Sequence, residues 1–190
     1  MSGTEFHVHG PHEHAVEHEA QRGDMFAARI AVVTAILSTV GALFAYQAGA
    51  TQNEALLHKN EAAIKKTEAS DQWNFYQAKS SKQNLAELGA TLATGEAAER
   101  MKREVERYKA EKEDIRKEAE RLEAEGKAAN ERSDASMHVH HRWAQSMTLV
   151  QIAISLAAIT LLTRRRWMQY AAYGTGAAGA LLAIAAALHL

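Results

Sequence analysis

Cysteine is absent from this 190-residue chain, which excludes disulfides, thiolate metal sites and cysteine nucleophiles together. Proline occurs once, at Pro11 near the start, so no later helix is forced to kink by it. Catalytic signatures are missing as well: there is no glycine-rich phosphate loop, no pair of helical histidines flanking a glutamate, and no serine nucleophile motif. His58, Asp71 and His138 to His141 are the side chains an active site would have to use, and no spacing brings them together. The expectation is a protein that is not an enzyme. A formal net charge of -1 suggests a soluble chain, but that average conceals a segregated sequence.

Three windows carry no charge: Ile30 to Ala50, Trp143 to Thr163 and Trp167 to Leu188. At about 1.5 Å per helical residue each reaches across a hydrocarbon core of about 30 Å. The sequence therefore divides into a polar tail (1–25), a first span (26–50), a charged insert (51–142), a second span (143–163), a basic loop (164–166) and a third span (167–188). No cleavable signal is expected ahead of the first apolar run near Phe26. The predicted fold is an all-α membrane protein: three transmembrane helices, with a long antiparallel helical (coiled-coil) hairpin inserted between the first and second spans.

The hairpin follows from Met101 to Ala129, MKREVERYKAEKEDIRKEAERLEAEGKAA. Met101, Val105, Tyr108, Ile115, Leu122 and Ala129 recur at gaps of three and four, with Lys112, Ala119 and Gly126 completing the seam. Between them lie mostly Glu, Lys and Arg, with pairs such as Glu99 with Arg103 and Glu113 with Lys117 at i, i+4 spacing. GATLATG, at 89–95, is the expected turn, with Thr94 as cap of the returning helix and Glu96 and Glu99 in its first turn. Lysine, alanine and glycine thin the seam, which favours several hairpins standing together. The outgoing arm is expected to leave the heptad between Ala69 and Leu88, where Trp73, Phe75 and Tyr76 sit among Asp71, Gln77 and Lys79. Those six residues are the candidate interaction or assembly site. Packing within the assembly and a docking site for a separate protein are its two readings.

Small residues mark the expected packing faces of the spans: Thr34, Ser38, Gly41, Ala45 and Gly49 in the first, and Gly174, Gly176 and Gly179 in the third. Gln151, in a stripe with Thr148 and Ser155, is expected to hydrogen-bond between helices. Arg29 at the entrance of the first span reads as an anchor that reaches the headgroups. Arg164, Arg165 and Arg166 set orientation by the positive-inside rule, placing the tail and this loop in the cytoplasm and the hairpin in the periplasm. Trp167 and Trp143 fit the two interfacial belts.

Two histidine groups remain. His7, His9, His12, His14 and His18 in the tail read either as a weak, low-specificity site for zinc, nickel or copper or as a solvated segment. His138, His140 and His141 read as an interfacial linker or as a pH-responsive or metal-binding patch. No other cofactor is expected. The expected partners are the lipid bilayer, further copies of the chain and a protein on the hairpin, with no nucleic acid.

The histidine-rich start, ASDQWNFYQAKSSK at 69–82 and LTRRRWMQY at 162–170 resemble the DUF4337 family of bacterial membrane proteins. The resemblance implies a multi-pass bacterial inner-membrane protein. It implies no activity and no catalytic or binding residue. Three functions stay open: an oligomeric scaffold or docking stalk, a channel or transport accessory with a pore lined by Thr34 and Ser38, and a metal- or pH-responsive protein acting through its tail.

Overall fold

The computed structural model describes residues 25–188, and among them the backbone forms three α-helices and no strand. Helix α1 is Met25–Leu92, α2 is Glu96–Thr163 and α3 is Arg166–Ala187. With no proline in their path, α1 and α2 continue unbroken from apolar into polar sequence, so the boundaries near 50 and 142 mark changes of composition and not of backbone. Each helix holds a stretch long and apolar enough to cross a membrane. Between 22% and 33% of those stretches is buried by the chain itself.

Two tight turns join the helices. The first is Ala93–Gly95, and α1 runs through Gly89, whose carbonyl accepts a hydrogen bond from the Ala93 N–H at 2.9 Å. Gly95 adopts φ 64°, a conformation glycine enters without Cβ strain. The Gly95 carbonyl accepts from the Glu99 N–H at 3.3 Å, so Gly95, not Thr94, stands at the capping position. Glu96 and Glu99 do occupy the first turn, where carboxylates favour the helix dipole. The second turn is Arg164–Arg165, because Arg166 already belongs to α3. Arg164 takes φ 55° and its N–H bonds the Thr160 carbonyl at 2.8 Å.

The described residues separate into two compact units, one comprising 25–52 and 137–188, the other Asn53–Ser136. The first is apolar. Its core is Ala27, Ile30, Ala157, Leu161 and Ala172, with Phe26 and Leu156 packed against it. Backbones approach closely where side chains are absent: a Cβ on Gly41 would lie 3.2 Å from Val150 Cγ1, and one on Gly179 would lie 3.1 Å from the Ser146 carbonyl. The buried hydroxyls of Thr34, Ser146 and Thr160 donate to the carbonyls of Ile30, Arg142 and Leu156 one turn back. Such back-bonding hides polar groups from an apolar surround.

The second unit is polar, and its two helical segments pack antiparallel. Every seam position anticipated between Met101 and Ala129 is buried or half-buried. The opposing line on α1 is Ala55, His58, Ala62, Lys65, Ala69, Gln72, Tyr76, Lys79, Gln83, Ala86 and Ala90, again all buried or half-buried. The expected departure from the repeat after Ala69 is therefore not found. Gaps of three and four continue without a slip, but they are filled by alanine and long polar side chains in place of leucine or isoleucine. At Gly126 a Cβ would lie 3.3 Å from Lys65 Cβ and 3.4 Å from the Ala62 carbonyl. Ser133 adds a buried hydrogen bond to the Ala55 carbonyl at 2.8 Å. A buried alanine methyl contributes about 0.8 kcal/mol, against roughly 2 kcal/mol for a leucine such as Leu122. Close approach of backbones, not side-chain volume, characterises this end of the seam.

Candidate functional site

The residues from Asp71 to Lys79 divide between two faces of α1. Trp73, Tyr76 and Lys79 lie toward α2. The Trp73 indole N–H donates to Glu123 Oε1 at 2.8 Å, and its ring meets Tyr76 edge-on at 5.6 Å. Lys112 Nζ stands 4.8 Å from the centre of the Tyr76 ring, while Lys79 Nζ and the Arg107 guanidinium lie 5.5 and 4.9 Å from that of Tyr108. Lys79 also pairs with Glu111, and Lys112 donates to Gln83 Oε1 at 3.1 Å. The Lys79 hydrogen bond is the main reason the Glu111 carboxyl is held below the usual carboxylate range. These groups form a layer of aromatic rings and cations between the two arms. Asp71, Phe75 and Gln77 lie on the exposed side.

Charge is arranged differently on α2. Its cations bond mainly to carboxylates of the same helix, three residues away: Lys102 to Glu99 at 2.8 Å, Lys109 to Glu106 at 2.8 Å and Arg116 to Glu113 at 2.7 Å. The i, i+4 partner expected for Glu113, Lys117, is at 3.9 Å. Arg121 is held by Glu118 and Glu125 together, which raises its pKa further. Beyond that layer, further contacts cross between the arms: Lys65 with Glu125 at 3.5 Å, Arg132 with Glu61 at 3.2 Å, and Lys59 with the Asn130 side-chain oxygen at 2.6 Å.

In the apolar unit the small residues also divide. Gly41 and Gly176 sit at close contacts, the latter placing a Cβ 3.1 Å from Leu37 Cδ2, whereas Gly49 and Gly174 have nothing within 4 Å. Ala45 is half-buried. Thr34 is buried and Ser38 exposed, so the two are not on one open face. Gln151 is exposed, and its side chain makes no hydrogen bond among the described residues. Its neighbours Thr148 and Ser155 are exposed too, but their hydroxyls bond the carbonyls of Ala144 and Gln151. Trp143 packs on Phe44 with ring centres 5.5 Å apart, and Trp167 and Tyr170 are exposed beside Arg164–Arg166.

His140 Nδ1 donates to the Ala48 carbonyl at 2.8 Å, with the His141 ring 5.6 Å away. This is a structural tether for one ring. Among the described residues no group of three histidine or acidic side chains is placed to hold a metal ion. The tail histidines His7, His9, His12, His14 and His18 lie outside the described residues.

The face that sequence reading missed is the outside of α1. Leu57, Ile64, Leu85 and Leu92 are exposed there, 58–77% accessible, and all share one phase of the seven-residue repeat. The signal was present as a second apolar recurrence, displaced by two residues from the inner seam.

Three helices apolar enough to cross a membrane, together with a charged two-helix unit, define an all-helical protein suited to membrane association. Its particular identity is that of a family: the chain belongs to DUF4337, a domain of unknown function, which matches residues 26–189. No curated protein and no solved structure matches it.

Proposed function

We propose that this protein is a non-enzymatic, homo-oligomeric protein of the bacterial inner membrane, in which the charged helical pair is a coiled-coil hairpin inserted between the first two spans and acts as a scaffold or docking stalk. Gln151 carries the reading. It lies in the second apolar stretch, faces away from its own chain, and has an amide too long to be satisfied by the carbonyl one turn back as Ser155 is. In hydrocarbon an unpaired amide costs several kcal/mol, and a neighbouring helix relieves that cost. A second copy offers the same amide, with both a donor and an acceptor. The arginines at Arg164–Arg166 favour a cytoplasmic loop, and hence a periplasmic stalk.

The pore reading draws less support, because Thr34 turns inward and its hydroxyl is already bonded to Ile30. The wild type in lipid nanodiscs is expected to have an oligomeric mass, and Gln151→Leu to shift it toward monomer. A wild type that remains monomeric in native lipid removes the homo-oligomer. Ion flux through purified protein in liposomes replaces the scaffold with a channel. Sidedness is read by Ala110→Cys in intact cells: labelling by a membrane-impermeant thiol reagent is expected, and protection reverses the orientation.

A further inference from the structure

The polar unit has one flank that its own chain leaves uncovered. In the repeat that buries Ala55 to Ala90 against α2, three of every seven positions of α1 point away from the partner arm. From Leu56 to Leu92 all of these are exposed, and the only charge among them is Asp71. The remainder are apolar, amide or hydroxyl side chains. Two of the three lines combine into a second seam with its own gaps of three and four: Leu57, Asn60, Ile64 and Thr67 at one end, and Ala78, Ser81, Leu85, Leu88 and Leu92 at the other. Leu57 is 69%, Leu85 69% and Leu92 77% accessible. Phe75, 59% accessible, flanks the seam near its middle.

We propose that a second copy of this chain docks on this face, α1 against α1 and in parallel, with like residues side by side. Charge selects the occupant. The equivalent outward lines of α2 carry Glu99, Glu106, Glu113, Glu120, Lys127 and Asp134 at successive repeats, and laying these on the α1 face would strip water from ions that gain no partner there. Within the polar unit, the surface that matches an uncharged α1 face is the same face of another copy. Its seven-residue period is also that of the inner seam, so a second helix with the same repeat stays in register along its whole length. The size is sufficient. A face about 54 Å long, from ~1.5 Å per residue, and about 10 Å wide buries about 1,000 Å² in total across two copies, which reaches the lower bound for a specific interface. The parallel direction rests on the membrane reading above, since copies anchored in one bilayer share an orientation.

Asp71 marks the register. In the parallel pair it meets its own counterpart, and like charges held together weaken the contact.

The absence of cysteine makes the test direct. Single variants Ile64→Cys and Leu85→Cys on α1, and Glu113→Cys and Lys117→Cys on α2, are oxidised in the full-length protein in nanodiscs. The expected result is disulfide-linked dimer as the major species for the α1 pair and monomer for the α2 pair. Asp71→Asn in the Leu85→Cys background is expected to raise the dimer yield, with the larger gain at low salt. Equal or greater linkage at the α2 positions would overturn the proposal. So would linkage in native membranes only, to a species of different mass, which would assign the face to another protein. If no position links, the nanodisc mass separates the cases: an oligomer rejects this face alone, and a monomer rejects the homo-oligomeric reading with it.

Discussion

The two arms of the polar unit share one repeat and have opposite exteriors. On α2 the outward positions are crowded with Glu, Lys and Arg, tied to one another along the helix. On α1 the outward positions hold leucine, isoleucine, asparagine and threonine with a single carboxylate, Asp71. Inside the pair the contrast reverses. α2 contributes Val105, Ile115 and Leu122, while α1 contributes mostly alanine and the polar side chains of His58, Lys65, Gln72 and Lys79. An arm with its large apolar residues on the outside and small ones within is poorly served by one partner. An arm with the reverse pattern is complete with one. The two sequences therefore differ in how many neighbours they require.

The strongest way to break this comparison is to abolish the distinction between inside and outside. Gly126→Leu drives a side chain into Lys65 and the Ala62 carbonyl, already 3.3 and 3.4 Å from the position of a Cβ. It is expected to destabilise the paired arms by about 1–3 kcal/mol, read as a lower thermal midpoint of helical circular dichroism in detergent. Ser133→Ala removes the hydroxyl bonded to the Ala55 carbonyl and is expected to cost about 1 kcal/mol in the same measurement.

Acidification sharpens the comparison from the charged side. The carboxyls of Glu111, Glu113 and Glu118 are held below their ordinary values, chiefly by hydrogen bonds from Lys79, Arg116 and Arg121. A carboxylate whose folded pKa is depressed stabilises the fold above its unfolded pKa, and that contribution is lost as pH falls through the depressed range. Helical melting is therefore expected to weaken below the normal carboxylate range and to be flat near neutrality. All three groups are solvent-accessible, so raised salt should blunt the response. The smallest effect is expected on the exterior of α2, where Lys117→Ala, which loses only a 3.9 Å ion pair, should leave the midpoint unchanged within error.

The stretches apolar enough to cross a membrane, the turn near residue 93 and the seam of α2 were legible because each rests on a strong local signal: an uncharged run, a glycine pair, and apolar residues at fixed gaps. The seam of α1 was not. Hydrophobic periodicity weighs a leucine above an alanine, so the line of Ala55, Ala62 and Ala69, which is the buried one, gives a weak signal. Where backbones come close, small side chains go inside, and size rather than polarity becomes the pattern. Trp73, Phe75 and Tyr76 are spaced to point around more than one face, and they do. Which of them turns toward α2 depends on the phase of the repeat that the alanines take, and sequence reading had not fixed that phase. Gln151 was expected to hydrogen-bond between helices, and its side chain is instead exposed with no hydrogen bond among the described residues. That it turns away from both helices of its own chain could come only from packing.

The salt-bridge ladder along α2 also sets a valence. A cation bonded to a carboxylate three residues away on its own helix offers less net charge to an incoming surface. On the docking proposed above, the polar unit would carry a single adhesive edge. Such a unit closes into a pair and stops, whereas an edge on each side would propagate into rows without end.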